Sequence, residues 1–178
     1  MSRFRLGSIL AVAGILITGG GCTDTVSAPV QPGQGLELLR APQGPSLALS
    51  GSQSASKVIG PEGGVIALPG GHELVFPAGA LSQPTEIGIR SDGQYQGVHL
   101  SPHGLVFPAG AEPVLTLRAT GPEAAAFSSL VVTYVDDARN ILEVLPTSRH
   151  GNTVTAHLEH FSGYIVGGGR SAEQTSMP

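Results

Sequence analysis

The chain has 178 residues, of which 9 are Lys or Arg and 13 are Asp or Glu, for a net charge of −4 with 12% of residues charged. An acidic, sparsely charged chain sets up no field that attracts phosphate backbones, so nucleic acid is excluded as a partner. With 1 Cys there is no internal disulfide, and with 26 Gly and 14 Pro the apolar residues fall into short runs between turns.

In chain order, Arg3 and Arg5 precede the apolar run "LGSILAVAGILI". It is too short and too rich in Gly and Ala for a membrane span, and it predicts a secretory signal peptide over 1–21. Gly19-Gly20-Gly21 then lead into Cys22, which resembles the junction where bacterial signal peptides are cut before a lipidated cysteine, with Gly19 where Leu is usual. Cys22 is therefore expected to carry acyl chains, and several chains on one residue bury enough methylene to hold a protein at a membrane. Thr23, and not Asp, follows the cysteine; by analogy with bacterial sorting signals, this points to an outer-membrane lipoprotein of the cell envelope.

From Thr23 to Ser56 the composition turns to Pro, Gly, Gln, Ser and Ala without a sustained period, so 22–56 is expected to be a lipidated cysteine on a disordered tether. Within it "GLELLRAP" has the alternative of a helical turn or docking segment. Residues 57–167 form the candidate domain, and 168–178 are expected to be a disordered tail. Turn residues punctuate the domain every eight to twelve positions, which predicts an all-β antiparallel sandwich of about nine strands. The strands are expected at Gly64–Leu68, His72–Phe76, Thr85–Arg90, Gln94–Leu100, Val114–Ala119, Leu130–Asp136, Ile141–Leu145, Thr153–Leu158 and Ser162–Val166. Alternation turns Leu115 and Leu117 inward in one strand, and Val154, Ala156 and Leu158 in another. "LVVTYV" is apolar on both faces and is expected to be an interior strand. "PEAAAF" is the one predicted helical turn, with Pro122 at its start.

The heptad LVFPAGA occurs at Leu74–Ala80 and again at Leu105–Ala111. A Phe before Pro is pushed to extended backbone, so each copy reads as a strand end followed by a corner. Phe76-Pro77-Ala78-Gly79 fits a type I turn with Pro second and Gly fourth, and Phe107, Pro108 and Gly110 repeat it. A strand of form apolar-x-apolar-Arg follows each copy, so the unit is strand, corner, strand, used twice.

These stretches together resemble the ZU-five domain, named for the zonula occludens scaffold and the uncoordinated-five netrin receptors. "IGPEGGVIALPGGHELVFPAGALSQPTEIGIR", "LVFPAGAEPVLTLRAT" and "HFSGY" carry the resemblance, most specifically Gly63-Gly64, the FPAGAL corner and His160-Phe161-Ser162. The likeness implies a β-sandwich over the domain and, from relatives in animals, a role in protein contacts. In some relatives, including the function-to-find domain, the chain cuts itself between Phe and Ser of the His-Phe-Ser motif. Here that would be attack of the Ser162 hydroxyl on the Phe161 carbonyl, an N-to-O acyl shift and hydrolysis of the ester, with His160 as the nearest base. A bend near Glu159 is needed to return Phe161 to the core. The structural alternative has Phe161 simply packed at the opening of the last strand.

Other groupings are weaker. His72, His99, His103, His150, His157 and His160 are expected in exposed or capping roles, because His157 and His160 fall on opposite faces of a straight strand and no metal site is expected. Asp136, Asp137 and Asn140 read as a hairpin turn and lack the spacing of a calcium loop. Glu62, Glu73 and Glu86 form no catalytic pair, and Gly60, Gly63 and Gly64 precede no helix, so no cofactor is expected. Carbohydrate binding would require an exposed cluster around Tyr95, Tyr134 or Tyr164. The sequence thus predicts a non-enzymatic interaction or scaffolding module, held at the membrane through Cys22 and facing an unidentified protein partner. The alternatives are a self-cleaving domain and a passive or carbohydrate-binding envelope component.

Overall fold

The computed structural model describes residues 35–42 and 51–170. Two antiparallel sheets face each other across one apolar core, as the strand pattern predicts. The first holds β2 (Gln53–Ile59), β5 (Thr85–Ser91), β6 (Gly97–Ser101), β12 (Gly163–Arg170), β8 (Phe127–Val135) and β9 (Ile141–Val144) in that spatial order, and β1 (Leu36–Leu38) pairs with β12. The second runs β10 (Ser148–His150), β11 (Thr153–His157), β7 (Val114–Arg118), β4 (Glu73–Phe76), β3 (Gly64–Ala67). The helical turn α1 (Gly121–Ala126) carries Pro122 as its second residue, in the first turn, where a missing N–H costs nothing.

Side-chain alternation places the core. Leu115 and Leu117 of β7 and Val154 and Ala156 of β11 are buried, and the registers Leu115↔Ala156 and Leu117↔Val154 set them on one face. β8 is hydrogen-bonded on both edges, to β12 and β9, which accounts for its apolar residues on both faces.

The tether boundary is corrected by the structure. Residues 36–41 dock on the sandwich as a strap: β1 pairs with Gly167–Gly169, and the Leu39 N–H donates to Val166 O at 2.8 Å. Leu39 is fully buried, and β2 already begins at Gln53. Three strand residues between Gly- and Pro-rich stretches show no periodicity of their own; the strap is stabilised by its partner strand. The tail expected from Gly168 is likewise part of β12 as far as Arg170. Glycine there serves close approach, since a Cβ on Gly168 would stand 2.7 Å from the Phe127 ring. The signal peptide, Cys22 and 171–178 lie outside the described residues.

The corner of the heptad also differs from the expected type I turn. The Ala80 N–H donates to Pro77 O and the Ala111 N–H to Pro108 O, so each turn starts one residue later. Gly79 and Gly110 then occupy the third position with φ of 84° and 85°, the signature of a type II turn. The first copy carries chain from β4 to β5, that is, from one sheet to the other. In the second copy "LVF" forms no strand: Val106 makes a single bridge to His160 and is 70% exposed, while Phe107 turns into the core.

Gly63 explains the opening motif. It has φ of 79°, and a Cβ there would run into the Phe76 carbonyl oxygen and lie 2.9 Å from the Pro77 carbonyl carbon, while the Gly79 N–H donates to Pro61 O at 2.8 Å. The Gly-Gly turn is thus packed backbone to backbone on the first corner. Gly63→Ala is expected to cost about 2 kcal/mol through left-handed backbone strain plus displacement of the corner. A lowered urea midpoint at unchanged m-value would show it. Gly64→Ala, whose Cβ would meet only the movable Ile59 Cδ1 at 2.9 Å, should cost less.

Candidate functional site

The closing motif lies at a bend. β11 ends at His157, Leu158 is buried, the chain bends at Glu159 as expected, and β12 does not begin until Gly163. The bend is laced to the second heptad. The Phe161 N–H donates to Leu105 O at 2.8 Å and the Phe107 N–H to Glu159 O at 3.0 Å. The Gly104 N–H donates to Phe161 O at 3.2 Å, and the Leu100 N–H to Ser162 O at 3.0 Å.

Three rings meet behind this lacing. Phe76 and Phe107, one from each heptad, stand with centroids 6.0 Å apart, and Phe161 lies 5.9 Å from the first and 5.1 Å from the second, all edge to face. That geometry is the favoured one for aromatic quadrupoles. The repeated heptad therefore delivers two copies of one ring to a shared cluster, and His-Phe-Ser delivers the third. Gly63 packs on the first corner at Phe76 and Pro77, and Phe76, Phe107 and Phe161 share the core, while Gly79 and Gly110 turn the two corners in open space.

The His160 ring faces Tyr134 at a centroid distance of 4.9 Å, and its Nδ1 lies 3.3 Å from the Tyr164 hydroxyl. That hydroxyl donates to His160 O at 2.6 Å, so its oxygen is free to accept from Nδ1. Burial first, then Glu143 and Tyr134, push the Tyr164 hydroxyl well above the ordinary tyrosine range, which keeps it a neutral donor. Among the described residues no hydrogen bond joins the His160 ring to the Ser162 hydroxyl. A donor does address the carbonyl that cleavage would attack, namely the Gly104 N–H on Phe161 O. No protein-family model matches the chain, and no curated protein matches it in sequence.

The remaining candidates are placed as follows. His157 and His160, expected on opposite faces, border one small cavity of about 50 Å³, because the bend at Glu159 rotates the chain between them. Among the described residues no three His, Cys, Asp or Glu come together as a metal-ligand set. Asp136 and Asn140 close the β8–β9 hairpin, with the Asn140 N–H on Asp136 Oδ1 and the Asn140 amide on Oδ2, both 2.8 Å. Tyr164 is buried, Tyr134 packs on the core, and Tyr95 is covered by the guanidinium groups of Arg40 and Arg139.

Two polar features lay beyond the sequence reading. Gln96 is buried and holds the strap: its amide nitrogen donates to Arg40 O at 2.9 Å and Thr120 O at 2.8 Å, and its amide oxygen accepts from the Thr120 N–H at 2.6 Å. A buried amide with its bonds made in this way specifies one position for the strap. His72, expected in an exposed or capping role, is only 8% exposed and accepts the Arg118 N–H on Nδ1 at 3.2 Å. Burial brings its imidazole down to about 4. Neither residue has a sequence signature, since both partners are backbone groups far along the chain.

Proposed function

We propose that this chain is an exported, lipid-anchored, non-enzymatic interaction or scaffolding module of the bacterial cell envelope, built on a ZU-five-like β-sandwich. The observation that carries the reading is the mutual packing of Phe76, Phe107 and Phe161. It gives the Phe of each heptad and the Phe of His-Phe-Ser a common structural task, with His160 engaged by Tyr134 and Tyr164 instead of by Ser162. In this reading the sandwich supplies a rigid surface for a protein partner, and Cys22 supplies the membrane attachment.

The anchoring half is tested by fractionation of a bacterial host expressing the chain with its leader. The wild type is expected in the membrane fraction, released only by detergent, and Cys22→Ala in the soluble fraction. Wild-type protein recovered without detergent would overturn the anchor.

Self-cleavage between Phe161 and Ser162 is the second reading. It is favoured by the Gly104 N–H directed at Phe161 O, a donor suited to an oxyanion, and by the bend at Glu159 beside the bond.

A further inference from the structure

On the solvent face of the first sheet, a groove of about 640 Å³ opens between β5, β6 and the β8–β9 hairpin, lined by Arg90, Asp92, His99, His103, Asp137 and Arg139. Arg90 and His99 are direct cross-strand partners there. Arg139 is the one non-glycine residue with positive φ among the described residues, at 68°, where it closes the hairpin. Gly or Asn would occupy that position with less strain, by about 1 kcal/mol. The arginine side chain is instead held in place, its Nη2 paired with Asp92 and its guanidinium 4.6 Å from the Tyr95 ring centre.

Two guanidinium and two carboxylate groups line the groove, so its bias toward an anion comes from which donors lack an acceptor. Nη1 of Arg139 is buried and has no acceptor. Asp92 is already taken up: it accepts the Gln94 N–H at 2.8 Å, the Tyr95 N–H at 3.3 Å and Arg139. Burial raises its carboxyl, and these donors outweigh burial and bring it below the ordinary range. What remains open to a ligand is Arg90, His99 and His103, with Arg139 partly desolvated behind them, Asp92 beside His99 and the exposed Asp137 at the rim as the opposing charges. Burial is the largest influence holding the His99 imidazole below its ordinary range. After burial, the Arg90 charge is the largest influence holding its imidazole down, Arg139 and His103 act the same way, and Asp92 opposes them.

We propose that this groove is a binding site for an oxyanion, the carboxylate or phosphate of a small or saccharide ligand, with Arg90, His99 and His103 as its direct donors and Arg139 as the positioned charge behind them. The site stands independently of the anchoring and cleavage readings. An incoming anion adds an acceptor beside His99, whose Nε2 now stands 4.0 Å from Asp92 Oδ2, and it favours protonated His99, so binding tightens as the pH is lowered and His99 takes up its proton.

The test follows the imidazole resonances of the full chain in detergent micelles by NMR during addition of inorganic phosphate, glucuronate or glucose. Saturable shifts of His99 and His103 with phosphate or glucuronate, and none with glucose, are expected, with Kd near or below about 1 mM. The tighter of the two anions distinguishes a free inorganic ion from an acidic sugar as the source. Arg90→Gln, an exposed position, should weaken binding about tenfold, and Asp137→Asn should strengthen it severalfold. Shifts that never saturate, an equal response to glucose, or unchanged binding in Arg90→Gln would overturn the site.

Discussion

Phe161→Ala is expected to lower the unfolding free energy by about 4 kcal/mol, the range found for removing a buried phenyl ring from a core that cannot collapse around the gap. Phe161 is 2% exposed and touches both heptad rings, so the substitution removes its own buried area and two edge-to-face contacts. Relaxation is restricted on every side. The backbone at 161 is bonded to Leu105 and Gly104, and the next residues enter β12, the strand that pairs with β1, β6 and β8. Because a domain of this size has about 5–15 kcal/mol in total, the loss should appear as a large fall in melting temperature or as failure to accumulate. A double-mutant cycle with Phe107→Leu and Phe161→Leu should show a coupling of about 1 kcal/mol. Val106→Ala, at an exposed neighbour in the same heptad, should stay within about 0.5 kcal/mol of wild type.

Acid should destabilise the domain through His72. Its folded-state value of about 4 lies below the ordinary 6.5, so the unfolded chain binds the proton more readily than the native one. The stability contributed by the neutral imidazole is therefore fully present above pH 6.5 and declines as the pH falls toward 4. The loss approaches about 3 kcal/mol at the acid end of that window. His99, also held low, adds a smaller effect of the same sign because it is only half buried. In His72→Asn an amide oxygen can take the Arg118 N–H in place of Nδ1, and the slope of unfolding free energy against pH between 4 and 6.5 should flatten. Denaturant titrations at several pH values measure this; a wild-type curve flat across the window, or an equal slope in the variant, would contradict the assignment.

The sandwich was legible because its strands have period-2 faces and its turns have Gly and Pro at fixed places. Val154, Ala156 and Leu158 alternate cleanly with residues that reach solvent, and they are buried. The strap was not legible, since Leu36–Leu38 is too short to display a period and gains its order from β12 and from Gln96. Glycine was ambiguous in the same way. Gly167–Gly169 look like a frayed tail by composition, whereas Gly168 is there to let the Phe127 ring approach. Repetition was informative about fold and misleading about local form, because both copies of LVFPAGA place a Phe in the core but only the first makes a strand. The groove was hidden for a different reason. Arg139 in a left-handed hairpin position, with Asp92 and His99 brought beside it by tertiary pairing, leaves no spacing in the sequence to read.

On the proposed reading, the Phe161–Ser162 bond stays uncut in a packed corner of an anchored module. Intact mass of the protein expressed with its leader in a bacterial host, taken under denaturing conditions beside Ser162→Ala, tests it most directly. The account predicts a single uncut species in both, heavier than the polypeptide from Cys22 onward by an acyl modification. A wild-type fragment ending at Phe161 that is absent from Ser162→Ala would contradict it and establish self-cleavage.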